Sequence, residues 1–317
     1  VRYILKYQNF NESKGISESS EIVTDSIWNK IESDITNLTS SSNKFNFNEK
    51  DFKLKDIEIE YIITKNNENI CNAITQLKDS IIEDKYIKNV KITINIKYNI
   101  LDEPFLYYIK SVLFHEILHV FQHYNLILDN KFRPESFSIG SIIPQLKNSI
   151  KSKYVSYILD VLYYSLSHEL SAQIHQYYMY KKENKEYKKI EIIKNILENF
   201  LIKQDLTEEE NLELDFLKNH ILNSIKFYTT NKNYNKDILN SLWNENNNIK
   251  FLNKLSNIIK NKLKWIDRKI KLINSKINDI KYDETSTYYG ELKDYKYIEF
   301  FEFIRKNLND CTQYDYI

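Results

Sequence analysis

The sequence predicts an α+β protein, predominantly helical, in which a small mixed β-sheet comes first and a long helical portion follows. Three observations carry that expectation. Two early segments, Asp56–Lys65 and Val90–Tyr98, alternate apolar and polar residues with the period of two that a half-buried strand requires. From Glu103 onward the apolar residues recur at intervals of three and four, the period of a helix with one buried face. The 317 residues include only 3 Gly and 3 Pro, too few for a turn-dense all-β fold.

Residues 1–50 are polar, with one amphipathic helix expected around Glu21–Ile35 on the strength of Ile22, Ile27, Trp28 and Ile31. The Ser- and Thr-rich run Thr39–Asn43 reads as a loop. In Asp56–Lys65, Ile57, Ile59 and Tyr61 alternate with acidic residues and give a strand, while Asn72–Asp84 reads as a helix. Val90–Tyr98 is the cleanest strand, with Val90, Ile92, Ile94 and Ile96 on one face. Asp102 and Pro104 then supply a helix start, and Glu103–Tyr124 follows at helical spacing. Asn125–Leu146, which holds Pro134, Gly140 and Pro144, reads as the longest break in the middle of the chain. Helical periodicity returns over Ser152–Glu183 and again over Lys189–Phe200, Glu208–Phe227 and Asn248–Asn278. The last of these carries aliphatic residues at near-heptad spacing and reads as a bundle helix in preference to an oligomerisation seam.

Composition excludes several classes of function. Lys+Arg total 45 against 44 Asp+Glu, so no net field exists to hold nucleic acid or an anionic membrane. Neither is expected as a partner. A hydrophobic fraction of 42% supports a true core. No run of about 18 apolar residues occurs, and the first fifteen residues lack an apolar stretch of the kind a signal peptide needs. Cys71 and Cys311 belong to no metal-type spacing and make no disulfide framework.

Histidine is scarce, and its distribution is uneven. Five of the six histidines lie between His115 and His175, three of them in the run Phe114-His115-Glu116-Ile117-Leu118-His119-Val120-Phe121-Gln122-His123. Four residues of helix turn a side chain by only about 40° and advance it about 6 Å, so His115 and His119 can face one point. Two neutral imidazoles so placed suit a zinc ion, and Glu116 can reach water beside that ion and take its proton. Apolar flanks at Phe114, Ile117, Leu118, Val120 and Phe121 fit a helix buried in a domain core. His123 lies about 12 Å along the axis from His115, too far to share the ion.

The run His115-Glu116-x-x-His119 resembles the HExxH motif of the zincin metallopeptidases. Metzincins place a third histidine six residues after the second, and that position is Asn125 here. The gluzincin arrangement fits better, because that branch has a Glu ligand on a later helix, often followed three residues on by a small residue. In Ser167-His168-Glu169-Leu170-Ser171-Ala172, Glu169 and Ala172 match it. The resemblance implies zinc (Zn2+) held by His115, His119 and Glu169, with Glu116 as general base and a peptide or protein as substrate. His168 competes for the third position. The resemblance also implies a further donor for the oxyanion. Tyr163, Tyr164, Tyr178 and especially His175, scarce by type and two turns past His168, are the candidates, so His175 joins Glu116 as an expected catalytic residue. In zincins an edge strand beside the active-site helix holds substrate in extended form. Val90–Tyr98 is read as that strand or as an inner one.

The expected organisation is an N-terminal segment over 1–50, a zincin-like catalytic domain over 51–185 with the sheet packed on the active-site helix, and a helical C-terminal subdomain over 186–317. Lys6–Ser13 resembles the N-terminal peptides of tailed-bacteriophage proteins, which implies a phage or host protein partner and a cytoplasmic or virion-associated location. The alternative to a peptidase is a non-enzymatic phage structural or interaction protein that retains a zincin-like domain.

Overall fold

Alternation carries the chain into a sheet first and periodicity into helices afterwards, as the sequence predicts. The computed structural model describes residues 16–37, 42–77, 81–83, 86–128, 134–183, 185–229, 242–243 and 245–284. These fall into two compact units, one of residues up to 128 and one from 134 onward.

The first unit opens with helix α1 (Ile16–Thr36), then six strands, β1 (Ser42–Glu49), β2 (Leu54–Lys65), β3 (Ile70–Gln76), β4 (Ile81–Glu83), β5 (Tyr86–Lys88) and β6 (Lys91–Tyr98), and closes with helix α2 (Glu103–Leu128). The sheet is mixed, in the order β3-β6-β2-β5-β4, with β1 also paired to β2. β2 and β6 run parallel and register Ile59 against Ile92, Tyr61 against Ile94 and Ile63 against Ile96. All six side chains are buried. Aligned apolar cross-strand pairs of this kind are what fix a sheet's register. β3 is antiparallel to β6, with Ala73 opposite Ile94 and Thr75 opposite Ile92. Asn89, at φ 58°, makes the bend between β5 and β6, a left-handed conformation that Asn tolerates better than most residues. Val23, Ile27, Trp28, Ile31 and Ile35 of α1 share one apolar core with the sheet and with Ile109, Leu113, Ile117 and Val120 of α2.

Several segments differ from the sequence reading. Ile22 of α1 lies at the surface and Val23 takes the buried position. Ser42 and Asn43 begin β1 instead of closing a loop, while residues 39–41 lie outside those described. The described residues within Asn72–Asp84 include strands and no helix, 72–76 lying in β3 and 81–83 in β4, while 78–80 and 84 lie outside those described. The reason lies in β3's position. Its outward residues Asn72, Ile74 and Gln76 are exposed, so polarity is mixed and the alternation is blurred, and only pairing with β6 fixes the conformation. β6 is consequently an inner strand, and the edge beside it is β3.

The second unit is helical: α3 (Pro134–Lys147), α4 (Lys153–Ser165), α5 (Ser167–Lys182), α6 (Lys189–Glu198), α7 (Glu208–Thr229) and α8 (Asn248–Glu284). The stretch read as a break thus contains α3, which starts on Pro134 and accommodates Pro144 without the N–H that would bond the Gly140 carbonyl. Ser152 caps α4 through its Oγ, 3.3 Å from the Val155 amide. The single helix expected over Ser152–Glu183 is two, parted at Leu166, whose backbone is extended at φ −61° and ψ 131°. The aliphatic stripe of α8, including Leu252, Leu255, Ile259, Ile266 and Ile273, is buried, and α8 packs on α5, α6 and α7. Among the described residues no helix is long and apolar enough to cross a membrane.

The sheet makes a direct contrast available. Ile94→Ala empties a fully buried site and should cost about 2–5 kcal/mol, whereas Ile74→Ala, at a position 60% exposed, should stay within about 0.5 kcal/mol of wild type, both read from urea unfolding.

Candidate metal centre

Helix α2 is held at its start by Asp102, whose Oδ1 accepts the Phe105 amide proton at 3.0 Å. Its middle turns are apolar nearly all round, with Leu113, Phe114, Ile117, Leu118 and Val120 each 1% exposed or less. Into that apolar run the sequence inserts His115, Glu116 and His119, all buried. Burying three polar side chains in so apolar a helix requires partners for them.

The partners are specific. His115 and His119 bring their Nε2 atoms to 3.0 Å of each other, rings nearly perpendicular. His119 Nδ1 lies 2.9 Å from Gln122 Oε1. With that oxygen accepting, the proton sits on Nδ1 and the His119 Nε2 lone pair faces His115. Two ring nitrogens this close need a proton or a cation between them. A tetrahedral zinc with bonds of about 2.0–2.1 Å would set its nitrogens about 3.3 Å apart, close to what the pair already shows. Glu116 reaches the sheet edge, where Thr75 Oγ1 donates to its Oε2 at 2.7 Å. His123 continues α2, but its side chain lies outside those described.

In the second unit the extended Leu166 restarts the helix so that Glu169 falls in the first turn of α5. Unbonded amides and the aligned peptide dipoles favour a negative side chain there. Lys262 of α8, itself buried, donates from Nζ to Ser167 Oγ at 2.7 Å and adds a positive charge at the same helix start. Ala172, one turn past Glu169, is fully buried. His168 packs against α3, where a Cβ added at Gly140 would come within 3.1 Å of its Nε2. That Nε2 is 3.5 Å from Glu169 Oε1.

His175 sits deep in the same unit, and burial pushes its imidazole down to about 4, with the positive charge of Lys269 adding to the effect. Its Nδ1 donates to the Ser171 carbonyl at 2.7 Å. The neutral ring then has only a lone pair at Nε2, which accepts a hydrogen bond and cannot donate one. Tyr163 and Tyr164 make an edge-to-face ring contact. The Tyr164 hydroxyl is held above its ordinary pKa by burial and by the negative charges of Asp160 and Glu169. Tyr178 is buried.

Among the described residues one group of His, Cys, Asp or Glu side chains has the proximity to hold a metal ion. It consists of His115, His119 and Glu169, all buried, with one ligand atom from each within 4.8 Å of the others. His168 and His175 are not in it. Two imidazoles and a carboxylate are a borderline donor set that suits zinc and other first-row divalent ions. Two side chains that bond to site residues, Gln122 and Thr75, are not among those the sequence predicts. Gln122 was legible, three residues past His119 on the same helix, whereas Thr75 lies in a segment misread as helix. In comparisons with known proteins the chain matches no family model, no curated protein and no solved structure.

Two measurements follow from the second unit. Gly140→Ala would ordinarily stabilise a helix by about 1 kcal/mol, but an overpacking cost of about 1–3 kcal/mol against His168 should cancel that gain or outweigh it, for a net loss of up to about 2 kcal/mol in thermal unfolding. His175 stays neutral in the folded chain down to about pH 4, while in the unfolded chain it takes up a proton near 6.5. Its contribution is therefore complete above pH 6.5 and is lost as pH falls toward 4, by about 3 kcal/mol. His175→Asn should flatten the stability profile across that window.

Proposed function

We propose that this protein is a zinc-dependent metallopeptidase of gluzincin type, with His115, His119 and Glu169 as the metal ligands and Glu116 as the general base. The observation that carries the proposal is the mutual approach of one ligand atom from each of those three buried side chains. What the three contribute, once a zinc ion is bound, is Lewis-acid polarisation of a scissile carbonyl and acidification of the attacking water. Gln122 holds the His119 ring with Nε2 available to the ion.

Glu116 supplies the proton-transfer step. Its carboxylate takes the proton of the attacking water and passes it to the amine that leaves, the usual cycle of a single acid–base group. The oxyanion needs a donor, and His175 in its neutral, Ser171-bonded form is not one, so a tyrosine hydroxyl of α4 or α5 is the better candidate. Substrate is held in extended form along β3. That strand pairs with β6 on one side and, among the described residues, with no strand on the other. A peptide adding there would gain main-chain hydrogen bonds without regard to its sequence.

The test begins with metal content. The purified protein should carry about one zinc per chain and cleave members of a peptide library, and Glu116→Gln should keep the zinc while losing about 10²–10⁴-fold in rate. Glu169→Ala should cost more zinc affinity than His168→Ala, which should stay within the roughly tenfold-to-hundredfold range of an outer residue; the reverse order would reassign the third ligand. Stoichiometric zinc without cleavage of any peptide would favour a non-enzymatic structural or interaction protein. Failure to bind zinc after reconstitution would end both readings.

A further inference from the structure

Glu116 lies in the middle of α2, eight-hundredths exposed, facing the inward side of the edge strand β3. Along β3 the residues Cys71, Ala73 and Thr75 are covered, whereas Asn72, Ile74 and Gln76 are exposed. Alternation alone therefore sets Thr75 and Cys71 on the side that α2 packs against. Thr75 Oγ1 stands 2.7 Å from Glu116 Oε2 and 3.3 Å from the Glu116 carbonyl oxygen. An ionised carboxylate only accepts, and a hydroxyl has one proton to give, so the shorter contact is Thr75 donating to Oε2. A separation of 2.7 Å is in the range of charge-assisted O–H···O⁻ bonds, roughly twice as strong as neutral ones.

Among the described residues, the side-chain donor bonded to the Glu116 carboxylate is Thr75. Cys71 remains a thiol, its ionisation pushed up to about 12 by burial and by the charge of Glu116 itself. Ala73 has no polar side chain. Glutamate has three side-chain torsions, and a base left free to rotate spends much of its time away from the reacting proton. One firm hydrogen bond on Oε2 fixes the plane of the carboxylate and leaves Oε1 to work.

We infer that Thr75 is the positioning residue for Glu116, its hydroxyl holding Oε2 so that Oε1 is presented to the attacking water. The inference rests on the reading of Glu116 as general base. It assigns a second task to the sheet edge, which orients the base through a side chain on its inner side and offers main-chain groups along its outer margin. It also explains why a β-branched hydroxyl residue suits position 75, since Thr keeps strand propensity while carrying a donor whose rotamer is restricted.

The experiment uses the full chain, loaded with zinc, and a fluorogenic peptide that the wild type cleaves. Thr75→Val keeps the shape and removes the donor. It should lower kcat by about 10–100-fold with KM within about twofold, and the zinc content should not change. Thr75→Ser restores a donor and should return kcat to within about threefold of wild type. A second readout needs no turnover: in the metal-free protein, Thr75→Val and Glu116→Ala together should shift the urea midpoint by less than the sum of the two single shifts. Wild-type kcat in Thr75→Val, or additive midpoints, would overturn the inference while leaving the peptidase reading intact. A wild type that cleaves no peptide, or a Glu116→Gln variant as active as wild type, would overturn the peptidase reading and the inference with it.

Discussion

The structure turns on two imidazole nitrogens, His115 Nε2 and His119 Nε2, brought to 3.0 Å inside an apolar helix. Nothing in hydrophobic packing calls for that arrangement. A helix whose neighbouring positions are Phe114, Ile117, Leu118 and Val120 would be more easily stabilised with two further aliphatic residues, since each buried polar atom must find a partner or lose free energy. The pair is retained together with a device that fixes its chemistry. Gln122 takes the proton-bearing side of the His119 ring, so the remaining lone pair has one direction in which to act. An i, i+4, i+7 series on one helix thus builds a half-site before any other element contributes.

Helix α5 solves a different problem. A buried carboxylate is costly unless positive potential surrounds it, and the break at Leu166 provides some by starting a new helix three residues before Glu169. Ser165 assists the break, its hydroxyl bonding back to the Leu162 carbonyl and competing with the helical ladder. Lys262 reaches from α8 to Ser167 and places an ammonium at the same terminus. Lys262 and Lys269 are both buried beside the aliphatic stripe, which makes α8 an electrostatic element as well as a packing one. Lys218 plays a related part in α7, where it bonds the Glu245 carbonyl at 2.8 Å and pairs with Asp215 at 2.9 Å.

How much of this was legible in the sequence depends on how local each feature is. His115, Glu116 and His119 could be read because a four-residue spacing and a helix are enough to define them. Strands β2 and β6 could be read because both bury one face and expose the other. β3 could not, since an edge strand with exposed Ile74 and covered Thr75 carries little contrast in polarity, and its conformation comes from pairing with β6. α3 was hidden for a related reason. Gly140 and Pro144 count as breakers by local preference, yet Gly140 is the residue that lets His168 pack closely, so a tertiary contact explains what local chemistry would reject. The division at Leu166 escaped because no Gly or Pro marks it, only a buried leucine between two serines.

The two carboxylates stand in different surroundings, and the contrast is the one that the roles proposed for them would require. Glu169 sits where a helix begins, beside a lysine-bonded serine, in a field that rewards a fixed negative charge. Glu116 sits in the middle of a helix that packs against α1 and the sheet, away from either helix terminus, with the Thr75 hydroxyl on one oxygen. A ligand must hold its charge and its place through a reaction, whereas a base must have one oxygen engaged for orientation and the other at liberty. The local surroundings of these two side chains differ in the sense those duties demand, and that difference arises from a helix start in one case and a sheet edge in the other.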